Sequence, residues 1–224
     1  MGDASYGLDK KVLQYLAQEV KELIQTGVQV GVVIGAGNIF RGVSVASAGM
    51  NRVTADNMGM LATIMNALAL QDAFEKNGLS ARVLSSIPMP LVCESYSRQQ
   101  ANHHLDKGRV VIFGGGSGNP FFTTDTAAVL RGLEIEAEVI CKATRVDGVY
   151  DRDPLKDNEA IRFDTLSYSE VLSRRLKVMD STAISLAMDN QIKILVFNMN
   201  IQGNIVKAIC GENVGTLIKG DTNE

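Results

Sequence analysis

Two stretches decide the architecture: VQVGVVIGAGNIFRG at residues 28–42 and RVVIFGGGSGNPFFTTDTAA at 109–128. Each starts as a short apolar, β-branched run of strand length and then breaks into glycines, the pattern of a buried strand ending in a turn. Glycine raises the entropy cost of ordering a chain, so clusters this dense ask what approaches the backbone there. Open α/β sheets bind ligands beyond the carboxyl ends of their strands, where backbone N–H groups and helix N-termini favour anions. Arg41 follows the first cluster and Thr123-Thr124-Asp125 the second, which suits a phosphorylated ligand. Two ordinary glycine-rich turns are the plainer alternative.

Outward from these stretches, helices and strands alternate. Apolar residues at 8, 12, 13, 16, 20, 23 and 24 keep helical period, with Gly27 as the stop. Val53–Lys76 reads as a long helix ended by Asn77-Gly78. Then come a strand at ARVLSS (81–86), a helix over Ser97–Asp106, a strand at 109–113 and a helix over Asp125–Leu133. AEVICKA (137–143) and IKILVFN (192–198) read as strands, and GTLI (215–218) as a short last one. DRDPLKDNEA (151–160) is a polar loop, Ser167 and Glu170 have capping-box spacing, and Asp180 opens a further helix. This alternation implies an α/β fold, a mostly parallel open sheet with helices on both faces in three layers. No linker or repeat divides the chain, so residues 1–224 read as one domain. The order begins with a helix, where such a sheet usually begins with a strand.

Composition narrows the function. A net charge of −3 without a Lys/Arg block leaves no footprint for nucleic acid or a membrane surface. No apolar run reaches spanning length. Cys93, Cys141 and Cys210 are far apart and odd in number, which fits a reducing, cytoplasmic setting better than a disulfide framework or a metal cluster. MGDASY has the outline of a myristoylation signal, a pattern too common to decide anything.

The glycine turns match neither common phosphate-loop motif. G-x-x-x-x-G-K-[ST] is absent. GAGNIFRG nearly matches the dinucleotide fingerprint, and Asp56 imitates its ribose-binding acid, but Asp56 opens a helix where that acid should end a strand. Asp56 and Asp180 can each be a helix N-cap rather than a ligand. His103 and His104 are adjacent, point about 100° apart on a helix and make a poor metal pair; both are expected to be solvated. The nine methionines, Met58, Met60 and Met65 among them, are most simply core filling. A reaction joining two phosphates needs no histidine base, since a phosphate monoester is largely dianionic above its second pKa of about 6. Its difficulty is repulsion, about 4 kcal/mol between unit charges 4 Å apart at an effective dielectric of 20. Arg41 and Lys142, beside a glycine turn and a strand end, suit the offsetting role, though either alone could be ordinary surface charge.

Taken together, VVIGAGNIFRG, GMNRVTADNMGMLATIMNALAL, GNPFFTTDTAA, KATRVDGVYDRDP, LSYSEVLSRRLKVMDSTA and VFNM resemble, in order and spacing over essentially the whole chain, the bacterial uridylate kinases of the amino-acid kinase superfamily. The resemblance implies transfer of the γ-phosphoryl group of ATP to UMP, a step of pyrimidine nucleotide biosynthesis, with Mg²⁺ accompanying ATP. It implies that Ala36, Gly37 and Arg41 lie at the phosphates and that Asp56 holds the ribose hydroxyls. Ser117, Gly118, Asn119, Pro120, Phe121, Phe122, Thr123 and Thr124 would wrap the uridylate, the glycines letting the backbone reach the nucleotide. Phe121 and Phe122 could instead be core anchors. Thr144, Tyr150 and Asp153 would line the adenine-nucleotide site, while Asp125, Lys142 and Asp180 would organise the transfer centre. Homohexamers regulated by GTP and UTP are typical of such kinases, and Gly2, Asp3, Ala4, Ser5, Tyr6 and Gly7 match a segment linked to GTP activation.

Two departures qualify this. Ala36 stands where a third glycine is frequent, so the turn must keep φ negative there. The resemblance also implies a strand ending in Lys-Leu-Ser-Gly ahead of residue 1. The sequence begins past it, as from a displaced start or a truncation, and as it stands the chain is expected to be feeble or inactive. A non-catalytic nucleotide-binding relative and an amino-acid or carbamate kinase are the competing readings; GNPFFTTD, an acceptor loop for UMP, speaks against both.

Overall fold

The computed structural model describes residues 7–40, 49–154, 156–157 and 159–220. The chain forms two compact units, Met1–Ala127 and Ala128–Glu224. The first holds α1 (Lys10–Gln25), β1 (Gly31–Val33), α2 (Arg52–Lys76), β2 (Ala81–Ser85), β3 (Glu94–Ser95), α3 (Arg98–Asp106) and β4 (Val110–Gly114). At its end starts α4 (Thr124–Glu134), which continues into the second unit.

In the first unit β1, β4, β2 and β3 lie in that order, every pairing parallel. Strand β4 is buried on both faces because side chains alternate along it. Val110 and Ile112 join Ala17 and Val20 of α1 and Ala67, Leu70 and Phe74 of α2 in one core. Val111 and Phe113 point the other way, and Tyr96 meets the Phe113 ring edge-on with centroids 5.8 Å apart. Each such side chain contributes roughly 1.5–3 kcal/mol when fully buried.

The expected N-cap of the long helix needs correction. Asn51 caps α2, its side chain accepting from the N–H groups of Val53 (2.9 Å) and Thr54 (3.3 Å). Asp56 therefore sits inside the helix, more than a turn from its start, and is free to serve something other than the helix. His104 is another correction, being buried rather than solvated, while its neighbour His103 is exposed. The Arg109 guanidinium donates to His104 Nδ1 at 2.9 Å, so Nε2–H faces the Glu94 carboxylate, also at 2.9 Å. Met60 fills the core as expected, but Met58 and Met65 face outward.

The second unit contains β5 (Val139–Thr144), β6 (Val149–Tyr150), β7 (Arg162–Phe163), β8 (Thr165–Ser167), α5 (Tyr168–Ser173), α6 (Ser181–Asp189), β9 (Lys193–Asn198), α7 (Asn204–Ile209) and β10 (Thr216–Lys219). Its main sheet runs β5-β9-β10-β8, and β10 is antiparallel to β9. Strands β6 and β7 form a separate hairpin. Ile140, Ile194, Val196 and Ile218 from the sheet pack with Ala183, Ile184 and Ala187 of α6. Buried Tyr168 keeps its hydroxyl satisfied by donating to the Ile192 carbonyl at 2.6 Å. The Ser167–Glu170 capping box forms in both directions, at 3.1 and 2.9 Å. No helix among the described residues is long and apolar enough to cross a membrane.

Candidate functional site

Strands β1 and β4 are adjacent and parallel, with Val33 opposite Phe113. Both glycine turns therefore leave the same edge of the sheet, its carboxyl edge, where an α/β sheet receives ligands. The first turn runs close to the end of the second: a Cβ added to Gly35 would lie 3.4 Å from Oγ1 of Thr124, the first residue of α4. After β1 the chain makes one helical turn, the Ala36 carbonyl accepting from the N–H groups of Ile39 (2.9 Å) and Phe40 (2.8 Å). Ala36 is buried and keeps φ out of the positive region, as the alanine requires. Gly37 is exposed beside it. Arg41 and Gly2–Tyr6 lie outside the described residues. Gly7 is described, and it exchanges bonds with Asn38: its N–H donates to the Asn38 carbonyl and its own carbonyl accepts from Asn38 Nδ2, both at 2.9 Å.

The second turn is built differently. Ser117 Oγ accepts from the Asn119 N–H at 3.2 Å, closing a tight local loop. Pro120 precedes Phe121, whose φ of +72° puts a bulky residue in the left-handed region, a genuine outlier that surrounding contacts must hold. Asp56 is one such contact. Its Oδ2 accepts from the Phe121 N–H at 2.8 Å, and both its carboxylate oxygens lie 2.8 Å from Arg52 Nε. Arg52 also stands 5.8 Å over the Phe121 ring. Phe121 and Phe122 are 64% and 51% exposed, so neither is a core anchor. Thr123 Oγ1 accepts from the N–H groups of Asp125 (3.1 Å) and Thr126 (3.3 Å) and so starts α4 directly after the turn. The positive end of the α4 dipole, with Asp125 in its first turn, thus faces the carboxyl edge.

Two of the glycines also have a use within the protein. At Gly115 and Gly118 the close neighbour is protein: added Cβ atoms would lie 3.1 Å from Ser86 N and 3.2 Å from Ser86 Cβ. Side-chain-free backbone is needed there so that the β4 turn can nest against the segment leaving β2.

In the second unit, Thr144 ends β5, its hydroxyl donating to the Val146 carbonyl at 2.6 Å. Tyr150 donates its hydroxyl to Asp147, and that bond, with burial and the Asp147 charge, raises the phenol pKa above its usual value. The Asp153 carbonyl accepts from the N–H groups of Lys156 and Asp157, each at 3.0 Å. Lys142 is half-buried on β5, opposite Val196 of β9. Asp180 is the N-cap of α6, accepting from the Ala183 N–H at 3.0 Å. Ala36, Gly37, Asp56 and residues 117–125 therefore share one sheet edge and the helix behind it, while Thr144, Tyr150 and Asp153 share one strand end and its following hairpin. Sequence reasoning missed Arg52, Asn38, Thr63 and Asn66, which hold these turns. Only Arg52 left a signal, its i,i+4 spacing to Asp56.

The sequence model of the Amino acid kinase family matches residues 1–198. The uridylate kinase of Shewanella sp. (strain ANA-3) is 57% identical over 98% of this chain and 90% of its own. That of Photorhabdus laumondii is 58% identical over 97% and 90%. Among solved structures, the UMP kinase of Bacillus anthracis superposes with a TM-score of 0.95 at 40% identity, covering 99% of this chain and 91% of the other. UMP kinase from Ureaplasma parvum gives 0.91 at 34% identity, covering 98% and 93%. With that agreement over nearly every residue, the chain belongs to the amino acid kinase family, among its uridylate kinases.

Proposed function

We propose that this chain transfers the γ-phosphoryl group of ATP to UMP, releasing UDP and ADP, with magnesium entering as part of the nucleotide substrate. The observation that carries the reading is the pair of turns side by side at the carboxyl ends of β1 and β4, with Asp56 bound to the second. A UMP phosphate oxygen attacks the γ-phosphorus, one P–O bond forms, and the bond to the β,γ-bridging oxygen breaks. The attacking oxygen is already ionised near neutral pH, so positioning and charge compensation carry the rate. Ala36, Gly37 and Arg41 serve the phosphates, Asp56 accepts from the ribose hydroxyls, and residues 117–124 wrap the uridylate. Thr144, Tyr150 and Asp153 take the adenine nucleotide. Asp125, Lys142 and Asp180 organise the transferring group, Lys142 as the cation.

Thermal shift with UMP, CMP, AMP, carbamate, aspartate and NADH, alongside ADP release, tests this. UMP is expected to raise Tm most, and whatever ADP release the chain sustains, feeble as it is expected to be, should depend on UMP. Indifference to UMP removes the reading.

A homohexamer and regulation by GTP and UTP belong to the same proposal, with Gly2–Gly7 as the responsive segment. Support for assembly comes from α2, whose outer face carries Met58, Leu61 and Met65, the last 56% exposed. An exposed apolar stripe of this kind is often where a protein partner docks. Met65→Glu is therefore expected to lower the native mass on light scattering while circular dichroism stays unchanged. A monomeric parent, or a variant of parental mass, would reject that role for the helix. The three cysteines are free, in keeping with a cytoplasmic location.

A further inference from the structure

Helix α2 touches both glycine turns through two buried polar side chains, Thr63 and Asn66, one helical turn apart on the same face. Asparagine is a poor helix former because its amide competes for backbone partners, so a buried one in mid-helix needs an external use. Asn66, only 3% exposed, has one. Its Nδ2 donates to the Gly35 carbonyl and to Asn38 Oδ1, each at 2.7 Å, and its Oδ1 accepts from Asn38 Nδ2 at 3.1 Å. The orientation of both amides follows from chemistry. Gly35 O and Gly7 O only accept, so each must face an NH₂ group, which leaves the two side chains paired donor to acceptor in both directions. Thr63 does the corresponding work on the second turn. Its Oγ1 accepts from the Gly115 N–H at 2.8 Å and donates to the Met60 carbonyl at 2.6 Å.

We infer that Thr63 and Asn66 are positioning residues: a rigid bracket on α2 that fixes the spacing between the turn after β1 and the turn after β4, and so aligns the groups each turn holds. The inference rests on the uridylate kinase reading, in which those turns carry phosphate and uridylate. Neither side chain need touch substrate. Through Asn38 the bracket extends to the Gly7 backbone. A misplacement of about 1 Å between reacting groups costs on the order of 100-fold in rate, so loosening the bracket acts on turnover more than on affinity.

The test compares Thr63→Val, Thr63→Ser and Asn66→Ala with the parent chain in steady-state kinetics and amide hydrogen exchange. Thr63→Val keeps the shape and removes the hydroxyl; Thr63→Ser keeps the hydroxyl. Thr63→Val and Asn66→Ala are expected to lose roughly ten-fold or more in kcat, with KM for UMP and ATP within about three-fold, while Thr63→Ser stays near the parent. Exchange should quicken at least about ten-fold at Gly115 in Thr63→Val and across residues 36–40 in Asn66→Ala. Equal kcat losses in Thr63→Val and Thr63→Ser, or kcat within two-fold of the parent in both Thr63→Val and Asn66→Ala, would overturn the inference, as would unchanged exchange at both turns. Should Asn66→Ala fail to fold, the Thr63 pair decides. A parent that neither phosphorylates UMP nor is stabilised by it removes the kinase reading, and hydrogen exchange then still judges the bracket.

Discussion

Asp56→Ala is expected to lower kcat/KM for UMP by about 10- to 100-fold, the equivalent of about 1.5–3 kcal/mol for charged hydrogen bonds lost. The carboxylate has two tasks that alanine cannot perform. It holds the Phe121 N–H at 2.8 Å, and it keeps Arg52 beside the Phe121 ring. Without it, a bulky residue at φ +72° loses the contact that offsets its strain, and the Pro120–Phe122 segment relaxes toward ordinary backbone. In the proposed complex the same carboxylate also accepts from the ribose hydroxyls, so turn geometry and acceptor binding fail together. Arg52→Gln, which removes only the cation, is expected to cost less, since its side chain is substantially exposed and surface ion pairs contribute about 0–1 kcal/mol. Initial rates with each substrate varied in turn check this. The loss should fall on the UMP term and leave KM for ATP nearly unchanged; a loss confined to ATP would remove Asp56 from the acceptor side.

Much of this arrangement could be read from sequence because local rules and tertiary packing agree. Ser167 and Glu170 announce a capping box and make one. Asp180 announces a cap and is one, and the apolar runs before both glycine clusters became adjacent parallel strands. The misreadings share a cause, namely partners distant in sequence. Asp56 looks like a cap until Asn51, five residues earlier, is seen to fill that position. His104 looks solvated because its partners Glu94 and Arg109 reach it from a strand and a loop. Strand β3 and the β6–β7 hairpin are two-residue elements, too short for any period to register. Antiparallel β10 follows from its pairing with β9, which composition does not encode. Asn66 is the hardest case. Nothing near it in sequence distinguishes an asparagine facing solvent from one whose three polar hydrogen bonds reach back to residues 35 and 38.

The glycine cluster supplies the second large effect. Gly115→Ala is expected to lower stability by about 2–4 kcal/mol, combining roughly 1–2 kcal/mol for a left-handed non-glycine residue with crowding in a packed interior. The crowding has named neighbours: with φ at +78°, the added Cβ would meet Ser86 N at 3.1 Å, Ile87 N at 3.2 Å and Ser85 Oγ at 3.3 Å. Two of those are backbone and cannot swing aside, so the β4 turn must move. Moving it strains the Gly115 N–H bond to Thr63 and the Ser86 hydroxyl bond to the Gly116 carbonyl. Two further glycines separate conformation from contact. Gly108 has φ +67° with nothing within 4 Å of an added Cβ, and Gly116 has φ +59° with only Met60 Cγ at 3.6 Å. Alanine at either should carry the left-handed penalty alone, roughly 1–2 kcal/mol. For a chain of this size each kcal/mol moves Tm by about 2–4 °C. Gly115→Ala should therefore melt several degrees below both controls and bind UMP more weakly than Gly108→Ala, whose turn lies at the end of α3, away from the site. If all three variants melt together, close approach of the β2 segment is not what demands glycine at 115, and the cluster must be explained by backbone conformation alone.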